Sequence, residues 1–332
     1  SYTYSEVTHN SMLTAAGTPD RVPMISGLGL ALGNLAAVLM FMALVGFFVL
    51  PSMIGWPFSE PQFGVDLDKF EHMRIAGPLC AVWLAVFSIP FFTHAKDPGT
   101  KGASWIKAIR EGTGAVFSTL REASRYRQLM KYLVARMFYA DGMAALLTLG
   151  AVYVSLFLEW GFLEMTCYAL FGSLWAFAGG IFGGWLDTKV GVKAALFIEV
   201  FGMVVAFALQ LSLTKDVMLF GLVSNFQVWD GLVFQTASDL TYLALVTVVA
   251  VTATASISSS RAMLVELAPP GRSGEFFGLY AIAGTITVWM GPLLVELFTT
   301  GFNSQRIGMA SVAILFAIGA TLLAFVKVEK PE

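Results

Sequence analysis

Apolar residues run along this chain in long blocks with no period-2 alternation, which predicts helices and argues against a β-barrel. A helix that crosses a bilayer needs about 20 mostly apolar residues. About eight blocks meet that length, at 22–50, 76–92, 132–158, 163–186, 194–213, 240–263, 276–298 and 307–326. The longest polar interval, 94–131, sets Trp105, Ile106, Ile109, Val116, Phe117 and Leu120 at near-helical spacing, with Lys101, Lys107, Arg110, Arg121, Arg125 and Arg127 between them. That pattern predicts a basic amphipathic helix lying on the inner membrane face, as a surface linker or as a lipid or partner site. It divides the chain into 1–93 with two spans, the linker 94–131, and a six-helix bundle at 132–332. The stretch 214–239 is too polar to span and too apolar for a plain loop, and its Phe226 and Trp229 are expected at headgroup level.

Composition agrees with that pattern. The chain is 57% hydrophobic and 13% charged, with a mean hydropathy of +0.74. A soluble domain carries about 25% charged residues. The expected class is therefore an all-α polytopic membrane helix bundle, with the lipid bilayer as its solvent. A net charge of −2 excludes the basic footprint of a nucleic-acid binder, so no nucleic acid is expected as a partner. Cys80 and Cys167 both lie in apolar runs and read as small core residues. His9, His72 and His94 are scattered without metal-ligand spacing and read as loop residues, so no metal and no cofactor is expected. Nothing matches a P-loop, so ATP is not the direct driver. With the N-terminal segment, 94–131, 187–193, 264–275 and the C-terminal tail on one side, and counting Arg136 and Arg261 at helix ends, that side holds about 16 Lys and Arg against about 4 on the other. The basic side is expected to be cytoplasmic.

Some charges fall inside the apolar blocks. "RMFYADGM" puts Arg136 and Asp141 into the third block. A charge in lipid costs several kcal/mol unless it faces protein or water. Asp141 lies ten residues beyond Lys131, about 15 Å deep at about 1.5 Å per residue. It reads as a substrate or proton site, or else as an anchor to a neighbouring helix. Gly142 beside it allows close approach of a ligand or backbone. Arg136 is shallower and Glu199 lies at a similar depth. They are expected to pair, or each to face the polar pathway, with snorkelling as the alternative for Arg136. Gln210, Asn34, Thr285 and Thr287 could line a polar cavity or bond between helices. Glu164 and Glu296, near the outer ends, are expected to snorkel.

The string "GGIFGGWLDTKVGVK" ends one block and begins the next. Gly179, Gly180, Gly183 and Gly184 offer small faces for close packing. Gly183, Asp187, Lys189, Gly191 and Lys193 resemble the signature loop of the major facilitator superfamily. The resemblance implies that they form a conformational latch, with Asp187 holding a partner helix N-terminus or a basic group. Further along come Ser26-Gly27-Leu28-Gly29, Ser260-Arg261, Pro269-Pro270-Gly271-Arg272, Glu275-Phe276-Phe277-Gly278-Leu279-Tyr280 and Gly291-Pro292. Together with "FYADGM", they resemble the vacuole-effluxer-like, autophagy-related branch of that superfamily, from about Asn10 to the C-terminus. Ser260, Arg261 and Arg272 fall in its cytoplasmic motif.

The resemblance implies twelve helices in two halves. The eight blocks would then be the fifth to the twelfth, and 1–93 the remainder of the N-terminal bundle. The polar start without Met also reads as part of a longer chain. The implied activity is secondary active transport of a small solute by alternating access, with amino-acid efflux suggested and protons as the coupling ion at Asp141. The membrane would be the inner or plasma membrane in a bacterium and the vacuolar one in a eukaryote. Two other readings stay open: a sensor or scaffold with a transporter fold, and a membrane-embedded enzyme. The enzyme reading lacks the clustered carboxylates that such chemistry needs.

Overall fold

The structure, a computed structural model, describes residues 2–66, 68–94, 104, 114, 125–269 and 272–328. The basic segment expected at 94–131, with Trp105, Ile106 and Ile109, lies for the most part outside the described residues. Contacts divide the chain into two compact units, Ser1–Leu32 with Arg110–Glu332, and Gly33–Ile109.

Among the described residues, seven helices are long and apolar enough to cross a membrane. The eighth expected span is two shorter helices, for a reason that bears on the site. In chain order, α1 is Tyr2–Ser11, α2 is Val22–Leu44, α3 is Ala76–His94 and α4 is Arg127–Phe157. Then come α5, Phe162–Val190, and α6, Val192–Gln210. A small hairpin pairs β1, Val217–Met218, with β2, Val223–Ser224. Next are α7, Ala237–Leu267, α8, Ser273–Ala283, and α9, Met290–Phe302. The last, α10, runs Gln305–Ala324. The chain is an all-α polytopic membrane protein, as its hydropathy predicts.

In the smaller unit, the continuation of α2 takes one π turn at Val45–Val49 before Pro51. Proline has no N–H to give and its ring crowds the carbonyl four residues back, here that of Phe47, so the helix widens there. It stops at Gly55, which is left-handed at φ 65°. No described residue of α3 is buried. A helix apolar on every side suits lipid rather than water. Cys80 sits exposed on that helix, so it is not the core residue expected, and Cys167 is half-buried; both are free thiols. His9 and His94 stand on helices rather than in loops.

In the larger unit, glycines bring backbones together. A Cβ on Gly179 would lie 2.6 Å from the carbonyl oxygen of Val251, and one on Gly183 would lie 2.8 Å from the Cα of Ala255. These two, four residues apart, form the face of α5 against α7. Gly180 and Gly184 form the neighbouring face, against Ala31 and Met24 of α2. In lipid, where apolar surface gains little from meeting apolar surface, such backbone approach is what holds helices together.

The outer hairpin region is folded rather than an open loop. Tyr153 donates from its hydroxyl to the Leu213 carbonyl at 2.7 Å, and Lys215 pairs with Glu159. Phe226 and Trp229 are exposed. Asp239 forms a capping box with Thr236 at the start of α7 and accepts the Trp160 indole N–H at 2.6 Å. Glu164, expected to snorkel, instead accepts the Gly161 N–H at 3.1 Å and caps α5.

Candidate functional site

Asp141 stands at the middle of the 31-residue α4 and is only 3% exposed. Its partner comes from the interrupted span. Residues 284–289 leave the helix because Pro292 offers no N–H and would press its ring on the Val288 carbonyl, while the run Thr285-Ile286-Thr287-Val288 is rich in β-branched residues. The interruption exposes the first amides of α9, which have no partner inside their own helix. One of them, Gly291 N–H, donates to Asp141 Oδ2 at 3.1 Å. Asp141 Oδ1 accepts from no described group.

Arg136 meets the other side of the same interruption. Its Nη1 donates to the Tyr280 carbonyl at 2.7 Å. Its guanidinium lies 3.4 Å from the centre of the Tyr280 ring. A Cβ on Gly284 would come 2.5 Å from Arg136 Nη1, so a side chain there would push the guanidinium aside. Arg136 Nε is buried with no described partner. The Thr287 hydroxyl adds a bond to the Met137 carbonyl at 3.2 Å.

The electrostatic logic is complementary. The carbonyl end of a helix is negative and its amide end positive. α4 sets a guanidinium against the carbonyl end of α8 and a carboxylate against the amide end of α9. Each charge keeps one unsatisfied atom.

Glu199 lies elsewhere, so the expected Arg136–Glu199 pair is not formed. Glu199 is fully buried and accepts from the Ser259 hydroxyl at 3.0 Å. Gln210 is buried at the end of α6, where its backbone carbonyl accepts the Leu213 N–H at 3.1 Å. The latch string is also more helical than a loop: α5 runs through Val190 and α6 starts at Val192, leaving only Gly191, at φ 84°, between them. Asp187 is therefore inside α5 and 3% exposed. It holds neither a helix N-terminus nor a basic group, for both its oxygens lack a described partner. Lys189 is exposed, and Lys193 donates to the Ala324 carbonyl at 3.0 Å, at the negative end of α10.

The expected cytoplasmic motif residues tie helices together. Ser260 shares a 2.8 Å hydrogen bond with the Tyr139 hydroxyl, and its carbonyl accepts from Tyr132 at 2.5 Å. Arg261 donates to the Ser26 carbonyl at 2.9 Å and to Asn10 Oδ1 at 3.2 Å. Arg272 makes a two-pronged pair with Glu275 at 2.8 and 2.7 Å and donates to Tyr126 at 2.6 Å. Sequence reasoning missed Tyr280, Gly284 and Ser259 as partners. Gly284 directly before a β-branched run and a Gly-Pro pair was the available signal.

A multi-pass helix bundle with uncompensated charges set against a broken helix at mid-depth is a membrane transport architecture. The chain belongs to the family described as vacuole effluxer Atg22 like, whose model matches residues 10–332. It is 22% identical to an uncharacterized MFS-type transporter, YxiO, of Bacillus subtilis, covering 98% of this chain and 68% of that protein. It is also 22% identical to autophagy-related protein 22-2 of Neosartorya fischeri, over 92% of this chain and 49% of that protein. With autophagy-related protein 22 of Cryptococcus neoformans it shares 24% identity, over 78% of this chain and 45% of that protein. The chain thus spans about half the length of these fungal relatives. The family is described as effluxers and one relative as a transporter, and neither description is that of an enzyme.

Proposed function

We propose that the chain works as part of a secondary active transporter that exports a small zwitterionic solute, an amino acid, by alternating access with proton coupling at Asp141. One observation carries this reading: α4 places Arg136 and Asp141 at the two ends of the α8–α9 interruption, each with a free hydrogen-bonding atom. A carboxylate on the solute suits Arg136, and an ammonium suits Asp141. A proton on Asp141 weakens its hold on the Gly291 amide, because a neutral carboxyl is a poorer acceptor than a carboxylate. That would release α9 from α4 and let the interrupted helix move. The family's description as vacuole effluxers and one relative's as a transporter of the major facilitator type support transport.

Counterflow of labelled amino acids in proteoliposomes tests the reading. Exchange should be lost in Asp141→Ala. Asp141→Asn should keep exchange but lose its dependence on a proton gradient. Proton-driven uptake that survives in Asp141→Asn would sink the coupling role. No exchange of any amino acid by the folded wild type would sink the substrate class.

A further inference from the structure

A second buried acidic site lies apart from Asp141, where α5, α6 and α7 meet. Asp187 of α5 and Glu199 of α6 lie within Coulomb range of one another, the first 3% and the second 0% exposed. Of their four carboxyl oxygens, one is satisfied, Glu199 Oε1 by the Ser259 hydroxyl at 3.0 Å. The other three are buried without a described donor. Ser258, one residue along α7, is likewise fully buried with an unpaired hydroxyl.

Among the described residues, no cation compensates them. On α5, Lys189 is exposed. On α6, Lys193 is spent on the Ala324 carbonyl. On α7, Arg261 turns to Asn10 and Ser26, and Glu266 adds charge of the same sign near Asp187. On α4, Arg136 is held by Tyr280. Neither α2 within residues 22–32 nor α10 within Val312–Ala324 carries any charged residue. Two adjacent carboxylates in such a place cannot both be ionised and bare, since each bears the cost of lost water and repels the other.

We propose that Asp187 and Glu199 form a second proton-binding site, a dyad that holds at least one proton, oriented by Ser259, while α5 is closed against α2 and α7. Asp187 lies one turn beyond Gly183 and Gly184, where α5 packs backbone to backbone on α7 and α2, and both acids are buried there. Parting of those helices would hydrate the dyad and free its proton. The latch is then gated by protonation rather than by an ion pair. Its use in a transport cycle rests on the transporter reading, but its proton occupancy does not.

Infrared spectroscopy of the full chain in lipid vesicles reads the proton directly. At about pH 7, where ordinary Asp and Glu are ionised, the wild type should show protonated-carboxyl absorption. Glu199→Gln and Asp187→Asn should each remove part of it, and Ser259→Ala, which keeps both acids, should shift it. Asp141→Asn should leave that portion in place even where it abolishes coupling, which separates a failure here from a failure of the transporter reading. If none of the three dyad substitutions changes the absorption, the proposal is overturned. It is also overturned if the absorption vanishes on adding sodium, which would make the dyad a metal-cation site.

Discussion

Arg136 shows how one residue's role is set by its surroundings. Among the described residues its charge meets no carboxylate; it is held by a backbone carbonyl and by the face of Tyr280. Lysine has the charge but not the flat guanidinium that stacks on a ring. Arg136→Lys should therefore cost about 1–2 kcal/mol of stability, seen as a lower thermal midpoint in detergent, and should raise the half-saturating amino-acid concentration in exchange. An unchanged midpoint would mean the stacking contributes nothing. A second residue-scale case is Asp239, which caps α7 and also receives the Trp160 indole. Asp239→Ala should cost about 1–2 kcal/mol, from the lost cap together with an unpaired buried indole N–H.

Elements bring in constraints that no single residue carries. The α8–α9 interruption depends on Pro292, so Pro292→Ala should extend helical protection into 284–289, measured by hydrogen exchange, and slow exchange of solute. Faster hydrogen exchange there would show that Pro292 is not what breaks the helix. The α5–α7 contact depends on hydrogen in place of a side chain. Gly179→Val puts atoms where the Val251 backbone already stands, and should destabilise by about 1–3 kcal/mol or more. The outer hairpin is held by a weaker device. The Glu159 carboxylate beside Lys215 raises that ammonium above the ordinary lysine value. A raised value means the tie is present at neutral pH and fades as pH rises through it. Both groups are exposed, so added salt should loosen the hairpin, read as faster proteolysis between β1 and β2.

At the scale of the molecule, orientation follows from charge. In a background with Cys80 and Cys167 replaced by serine, Thr188→Cys should react with an impermeant thiol reagent only from the cytoplasm, and Asp216→Cys only from outside. The reverse pattern would overturn the positive-inside assignment. Much of the fold was legible in the chain: seven long spans, the charge asymmetry and the family motifs are all written in linear runs of residues. The interrupted span was not, because Gly284, the β-branched run and Pro292 look apolar enough to cross as one helix. The extent of α5 into the latch string was also hidden, since Thr188 to Val190 read as a loop until packing continues the helix.

By itself, the sequence determined that the chain lives in a bilayer, roughly where it crosses, and to which family it belongs. Those properties depend on composition and period, which are local. Only the tertiary structure decided which charges meet. Arg136 binds the end of α8 rather than Glu199, Asp141 binds the start of α9, and Glu199 takes the Ser259 hydroxyl with Asp187 close enough to feel its charge. Partners across helices are chosen by how far backbones can approach and by which amides and carbonyls a broken helix leaves unpaired, and neither is a property of any one segment.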